Sequence, residues 1–380
     1  MDFLHAVPSY ALPFLLVLSV LVFIHELGHY LVARWCGVRV EVFSIGFGRE
    51  IFGFKDAHGT RWKFCWIPLG GYVQMYGDAD PASATQDEGK IKKMSAADKK
   101  VAFFFMPVWK RAAIVFAGPA INFIYALVVI AAVFAVQGQN YAPAQVGGIV
   151  EGGAADKAGI KIDDVILSAN GQKLERFQDL QRYVVVNLDS EILFKVKRGD
   201  KVLDIKFRPK VIVQKDNFGF RHQVGRIGVV SVGEIARKEH TAISAISAAG
   251  EEVWSMSAAT LRAIGQMIMG TRNADEIGGI IRIGAYAKQF SDAGWLSLVM
   301  FSAMISLNLG LINLFPIPLL DGGHLVFYAY EAVFGKPMNA KVREYALRTG
   351  YALIIALMVF ATLNDLIQLR VFKYLAQLVS

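Results

Sequence analysis

The sequence predicts a multi-pass α-helical membrane protein with four transmembrane helices, a membrane-associated β-hairpin region and an inserted α+β domain. Three observations predict it. Of 380 residues, 54% are hydrophobic and 19% charged, whereas an average globular chain is about 45–50% apolar and about 25% charged. Four runs are long and apolar enough to cross a bilayer. Between the second and third runs the pattern changes to short alternating segments punctuated by glycine, as in a small soluble domain.

These numbers exclude an ordinary soluble enzyme and a disordered chain. The net charge of +8 fits a membrane protein with basic cytoplasmic loops, so nucleic acid is not an expected partner. Two cysteines, Cys36 and Cys65, exclude a disulfide scaffold and a four-cysteine zinc site.

The first run is Val7 to Val32, whose ionisable groups are His25, Glu26 and His29, with Tyr30 beside them. It lacks a basic leader and a small-residue cleavage site, so it reads as a span rather than a signal peptide. The second, Ala112 to Val136, and the third, Gly294 to Pro318, are uncharged. The fourth, Tyr351 to Leu369, carries Asp365, read as a helix-end charge near the outer interface.

Lysine and arginine near span ends set orientation. The tail before the first span has neither, whereas the loop after it holds Arg34, Arg39, Arg61, Lys63, Lys110 and Arg111 among others. The loop between the third and fourth spans holds Lys336, Lys341, Arg343 and Arg348. Both loops are expected in the cytoplasm. The N-terminus, the 137–293 segment and the C-terminus are then expected outside.

The first span contains His25-Glu26-Leu27-Gly28-His29. On a helix, positions i and i+4 lie about 40° apart around the axis, so both imidazoles can face one metal ion. Glu26 lies about 100° from His25, which suits a carboxylate that reaches water rather than metal. Zinc lowers the pKa of a coordinated water to about 7, and a carboxylate can take its proton. Polar side chains inside an apolar helix are costly unless paired or functional. The bland alternative is a polar cluster snorkelling at the cytoplasmic end of the span.

A zinc hydrolase needs a third protein ligand. Asp321, in Asn313-Leu314-Phe315-Pro316-Ile317-Pro318-Leu319-Leu320-Asp321-Gly322-Gly323-His324, is the first candidate and His324 the alternative. The first and third spans both run outside to inside, which puts Asp321 at the depth of the histidines. Pro316 and Pro318 break the helix there, and exposed backbone at membrane depth is tolerated only at a cavity or inside protein. Without the histidine pair, Asp321 would read as a turn residue.

His25-Glu26-Leu27-Gly28-His29 and Leu320-Asp321-Gly322 together resemble the site-2 protease family of intramembrane zinc metalloproteases, in particular its regulator-of-sigma-E protease type. The resemblance implies Zn2+ held by His25, His29 and Asp321, and a catalytic carboxylate at Glu26. It implies substrate contacts near Asn313, Pro316 and Pro318. Gly118, Pro119 and Asn122 resemble the family's second-span motif, where small residues admit close packing and an asparagine can bond across the bundle.

Residues 38–77 read as strands, with Asp56, His58 and Gly59 at the turn between them. The family has membrane-associated β-structure here, and Gly70, Gly71 and Tyr72 look like part of it. An edge strand could hold substrate by β-augmentation. The polar 78–100 stretch reads as a loop.

Val146 to Ile160, with Asp164-Val165-Ile166 and Asn170-Gly171, resembles a PDZ domain. A helix at Phe177 to Val186 and a hairpin turning at Gly199-Asp200 complete the pattern, with Ile192, Phe194 and Val196 alternating inward. Gly147, Gly148, Ile149 and Val150 are the expected groove segment. Two departures stand out: Asp163-Asp164 replaces the usual Gly-Asp, and Gly278-Gly279 replaces Gly-Pro. Residues 233–270 show helical spacing of apolar positions and read as one or two amphipathic helices.

The expected organisation is a first half of the membrane core at 1–136, with its β-rich loop at 38–77. An extracytoplasmic single PDZ domain follows at 144–211, then a helical linker at 212–293, then the second half of the core at 294–380. The resemblance implies a zinc endopeptidase of a bacterial inner membrane. It would cleave transmembrane segments of single-pass proteins, anti-sigma factors or remnant signal peptides, after another protease has trimmed them. A catalytically silent membrane adaptor presenting a PDZ domain is the alternative, and it predicts a broken metal set. A channel or transporter predicts repeated half-bundles, which the sequence lacks.

Overall fold

The computed structural model describes residues 2–78, 89, 94–188, 190–233 and 236–369. Most of the polar stretch expected as a loop at 78–100 therefore lies outside the described residues. The chain divides into two compact units, residues 1–130 with 280–360, and residues 131–279 with 361–380.

In the first unit, α1 (Asp2–Trp35) and α2 (Val108–Gln137) are the first two span-length helices. α5 (Ile280–Asp292) packs on α1 through Val17, Leu21 and Ala287. The third span-length helix, α6 (Trp295–Asn313), is followed by α7 (Asp321–Phe334) and the fourth, α8 (Ala340–Gln368). All four helices are long and apolar enough to cross a membrane.

The third span ends earlier than expected, and the fourth helix begins earlier, at Ala340 rather than Tyr351. α6 ends at Asn313 rather than Pro318, because Phe315 and Ile317 each precede a proline and are driven out of the helical region. Asp321 opens α7. The connecting loop is held tightly. Leu319 takes a left-handed φ of 92°, and a Cβ on Gly323 would lie 2.7 Å from Pro318 Cα.

Strands β1 (Val40–Lys55) and β2 (Arg61–Met75) form a curled antiparallel sheet. The start of β1 pairs with both ends of β2: Phe43 is opposite Val73 on one side and Trp62 on the other. The turn is built around Asp56. Its carboxylate accepts from Tyr30 Oη of α1 at 2.7 Å, Trp62 Nε1 at 3.1 Å, and the His58 and Thr60 amides at 2.9 Å each. One acid thus closes the turn and ties it to α1. Phe43, fully buried, stacks on Trp62 and packs edge-on against Tyr30.

The second unit is an α+β fold. Its strands are β3 (Gln139–Tyr141), β4 (Val146–Ile149), β5 (Val165–Ala169), β6 (Gln172–Lys173), β7 (Ile192–Arg198), β8 (Lys201–Phe207), β9 (Lys210–Lys215), β10 (Arg221–Arg226), β11 (Val229–Ser231) and β12 (Ala236–Lys238). The central sheet runs β6-β5-β7-β8, and β4–β11, β9–β10 and β3–β12 pair separately. Ile192, Phe194 and Val196 are fully buried, as their alternation predicts. Helix α3 (Phe177–Val186) covers this core through Leu180 and Val184.

The departure at Asp163 has a backbone cost. Asp163 holds φ 70°, the conformation glycine adopts freely. Asp164 is fully buried in a two-point pair with Arg198, at 2.8 and 2.7 Å.

Within the 233–270 region, one long helix, α4 (Ala242–Ile268), follows β12 and is capped by the Thr241 side chain on the Ser244 amide. Glu252 pairs with Arg176 and Arg182 of the α3 region, and Gln266 donates to the Val186 carbonyl. Asp365 lies near the end of α8, as expected, but inside the protein. It is fully buried and accepts the Gly279 N–H at 2.9 Å, a donor that a proline at 279 would lack.

Candidate metal centre

His25 and His29 lie one turn apart on α1, as an i,i+4 pair must. Asp321 opens α7 beside them. His25 Nε2 is 3.3 Å from Asp321 Oδ2, His29 Nε2 is 3.6 Å from Asp321 Oδ1, and the two Nε2 atoms are 3.3 Å apart. A tetrahedral ion bound at about 2.0–2.2 Å sets its ligand atoms about 3.3–3.6 Å apart. The three donors therefore fit a zinc ion, with one coordination position left for water or substrate.

Each ring is held from behind by α2. His29 Nδ1 donates to the Ile114 carbonyl at 2.9 Å, which leaves Nε2, the atom facing Asp321, unprotonated and able to hold a metal. Pro119 lies inside α2, where a proline ring crowds the carbonyls of the preceding turn. His25 Nδ1 lies 3.0 Å from Nδ2 of the Asn122 carboxamide, whose oxygen and nitrogen exchange places on a half-turn. With the amide oxygen turned to the ring, Nδ1 donates and Nε2 is again free. The Ser306 hydroxyl of α6 lies 3.3 Å from the same carboxamide and donates to the Asn122 carbonyl at 3.1 Å. Asn122 and Ser306 are both fully buried.

Gly118 makes this close approach possible. A Cβ there would overlap His29 Nε2 and sit 2.9 Å from His25 Cε1. Gly71 of β2 plays a similar part next to Glu26: its Cβ would lie 2.6 Å from the Ser44 carbonyl and 3.1 Å from Glu26 Cγ. The sheet is thus brought against the turn that carries the histidines.

The other expected contacts are distributed unevenly. Asn313 Nδ2 lies 3.4 Å from His25 Nε2, at the metal-facing edge of the site. Pro316 is exposed, and Pro318 packs against Gly350 of α8. Gly70 (φ 121°) sits against the Phe47 ring, on which Tyr72 also stacks. A half-buried ion pair from Arg111 of α2 to Glu331, at 2.6 Å, fastens α7 farther along its length.

In the second unit, Gly148 and Ile149 of β4 pair with Val230 and Val229 of β11, and a Cβ on Gly147 would overlap Val232. Of the four expected groove residues, Val150 lines the cleft beside α3. That cleft, of about 590 Å³, is walled by Phe177, Leu180 and Val184 of α3, Ile212 of β9 and Val229 of β11. Spacing along the sequence carries no signal for these walls, since they meet only in the fold.

Comparison with known proteins agrees with the geometry. The sequence profile of Peptidase family M50 matches residues 13–357. Two relatives named "Putative zinc metalloprotease" are Atu1380 of Agrobacterium fabrum and BR1156/BS1330_I1152 of Brucella suis biovar 1. The first is 41% identical over 361 residues, covering 94% of this chain and 96% of the relative. The second is 40% identical over 358 residues, covering 93% and 94%. Metalloprotease MmpA of Caulobacter vibrioides is 38% identical over 385 residues, covering 96% and 97%.

Proposed function

The chain belongs to Peptidase family M50 and is a zinc metalloprotease, and from that premise we propose that it cuts the transmembrane segments of single-pass membrane proteins. The observation that carries the proposal is the set of three donors at tetrahedral spacing on span-length and span-adjacent helices.

His25, His29 and Asp321 are the proposed ligands. Bound zinc supplies Lewis acidity that polarises the scissile carbonyl and makes water a better nucleophile. Glu26, in the same helical turn, takes a proton from the attacking water and delivers it to the departing amide nitrogen. Ile114 and Asn122 keep both imidazoles in the tautomer that faces the metal. The Asn313 amide is placed to donate to the substrate carbonyl oxygen as charge builds on it. A helical substrate hides its amides, so the segment must unwind. The β2 edge at Gly70, Gly71 and Tyr72 would accept it as an added strand.

The second unit reads as a single PDZ domain outside a bacterial inner membrane, with the N- and C-termini on the same side and the zinc toward the cytoplasm. The lysine and arginine distribution supports that orientation. Substrates would arrive already trimmed by another protease. The adaptor reading expects a broken donor set, and the donor set here is complete.

The test is a panel of tagged single-pass and signal-peptide reporters in membranes carrying the protein, with and without a zinc chelator. Cleavage within an apolar segment that stops on chelation and returns with zinc is the expected result. Chelator-resistant cleavage, or cuts only in soluble loops, would overturn the proposal.

A further inference from the structure

The α+β unit carries a second concavity that the proposed hydrolysis does not use. A cleft of about 750 Å³ opens between the segment 150–158 and the strands β8 and β9. Five cations line it: Lys157, Lys206, Arg208, Lys210 and Arg226, all exposed. Glu151 is the one carboxylate among its lining residues. Lys157, Lys206, Lys210 and Arg226 form no ion pair among the described residues.

The arrangement is unfavourable as it stands. Lys210 and Arg226 are direct cross-strand partners in β9–β10. Like charges opposite one another on neighbouring strands destabilise the pair. An anion lying between them would reverse the sign of that interaction.

This mouth is continuous with the apolar cleft beside α3, since both are lined by Val150, Ile212, Arg226, Ile227 and Gly228. An apolar trough therefore leads into a cationic end. Arg208 has an interaction of its own; the other four cations against one carboxylate leave a net charge of +3 on the lining. A single terminal carboxylate would offset one unit of it, so the matching ligand carries several negative charges. A bilayer surface is rich in phosphate but flat on this scale, and it cannot enter a concavity. An extended peptide, rising about 3.3 Å per residue, can follow both parts.

We infer that this trough and mouth bind an extended peptide segment of a protein partner in which acidic side chains flank an apolar stretch. If the partner is a substrate, which rests on the proposed function, the segment is the stump left outside the membrane after trimming. The charge at the mouth then selects among substrates before any bond is broken.

The experiment uses full-length Glu26→Gln protein in neutral-lipid nanodiscs, so that binding is read apart from hydrolysis. Fluorescent peptides with an apolar core carry either an acidic flank and an amidated C-terminus, or a neutral flank and a free carboxylate. Anisotropy should show the acidic amidated peptide binding about tenfold more tightly than the neutral one, with an advantage that shrinks as salt rises. The charge-reversing double variant Lys206→Glu/Arg226→Glu should remove that advantage, and Lys206→Gln/Arg226→Gln should halve its logarithm. Lys201→Glu, an exposed change outside the mouth, should not, and thermal midpoints report whether each variant is folded. Equal binding of the neutral free-carboxylate peptide would overturn the inference in favour of terminus capture. Folded charge-reversed protein with unchanged binding would also overturn it. So would retention by phosphatidylglycerol vesicles but not by the acidic peptide.

Discussion

The Asn122 carboxamide lies 3.0 Å from Nδ1 of His25, so a ring carried by the first span is oriented by the second. Ser306 of α6 holds the same asparagine, which joins three apolar helices at one buried point. Loss of a partner behind a metal-bound histidine costs about 10–100-fold in metal affinity. Asn122→Ala should weaken zinc retention by that amount in chelator competition, while the folded fraction by circular dichroism stays near wild type. Asn122→Asp, which can still accept from Nδ1, should recover part of the loss.

Gly118 is the position where the backbone of α2 meets the two histidines of the proposed metal site. Gly118→Ala would place a methyl group on His29 Nε2, so the variant should fold but lose most of its zinc, measured as metal per chain. Gly250→Ala, in α4 with open space around it, is the matched control and should keep full zinc content.

The Asp56 anchor gives the sheet a defined acid limit. Burial alone would raise its pKa, but hydrogen bonds from Trp62, Tyr30 and the Thr60 and His58 amides outweigh burial and bring it down to about 2. In an unfolded chain an aspartate titrates near 3.9. A group more acidic when folded stabilises the fold above its unfolded pKa and loses that contribution as pH falls through its folded one. Asp56→Asn should be less stable than wild type at neutral pH by about 1–3 kcal/mol. The difference should stay constant down to about pH 4 and close between there and about pH 2. Comparing the two proteins at each pH cancels acid effects common to both.

At Asp163 the chain pays for a left-handed residue with little in return: φ is 70°, and its exposed carboxylate accepts one long bond from Gln145 at 3.3 Å. Asp163→Gly should raise stability by up to about 1 kcal/mol, read as a higher thermal midpoint. A fall instead would mean that the Gln145 contact matters more than the backbone.

The sequence pointed to the proposed metal triad because the geometry of those donors is largely local. A helix dictates where His25 and His29 point, and two prolines plus span direction brought Asp321 to the same depth. The supports were less legible. Asn122 and Ser306 act across helices, and their pairing depends on which spans touch. Ile114 contributes a carbonyl, which no side-chain pattern can mark. The end of α6 at Asn313 follows from the restriction that each proline places on the residue before it, which a hydropathy run overlooks. The cleft of the α+β unit was hardest to see. Its walls come from α3, β9 and β11, Gly147, Gly148 and Ile149 do not line it, and the β4–β11 pairing that engages two of them joins distant parts of the sequence.

The central claim is that Glu26 moves the proton in a zinc-dependent peptide hydrolysis. Its most direct test measures zinc content and reporter cleavage on the same preparations of wild type and Glu26→Gln. The account predicts one zinc per chain in both, and cleavage slower by at least about 100-fold in the variant. Wild-type cleavage by Glu26→Gln, or active wild-type protein without zinc, would contradict it.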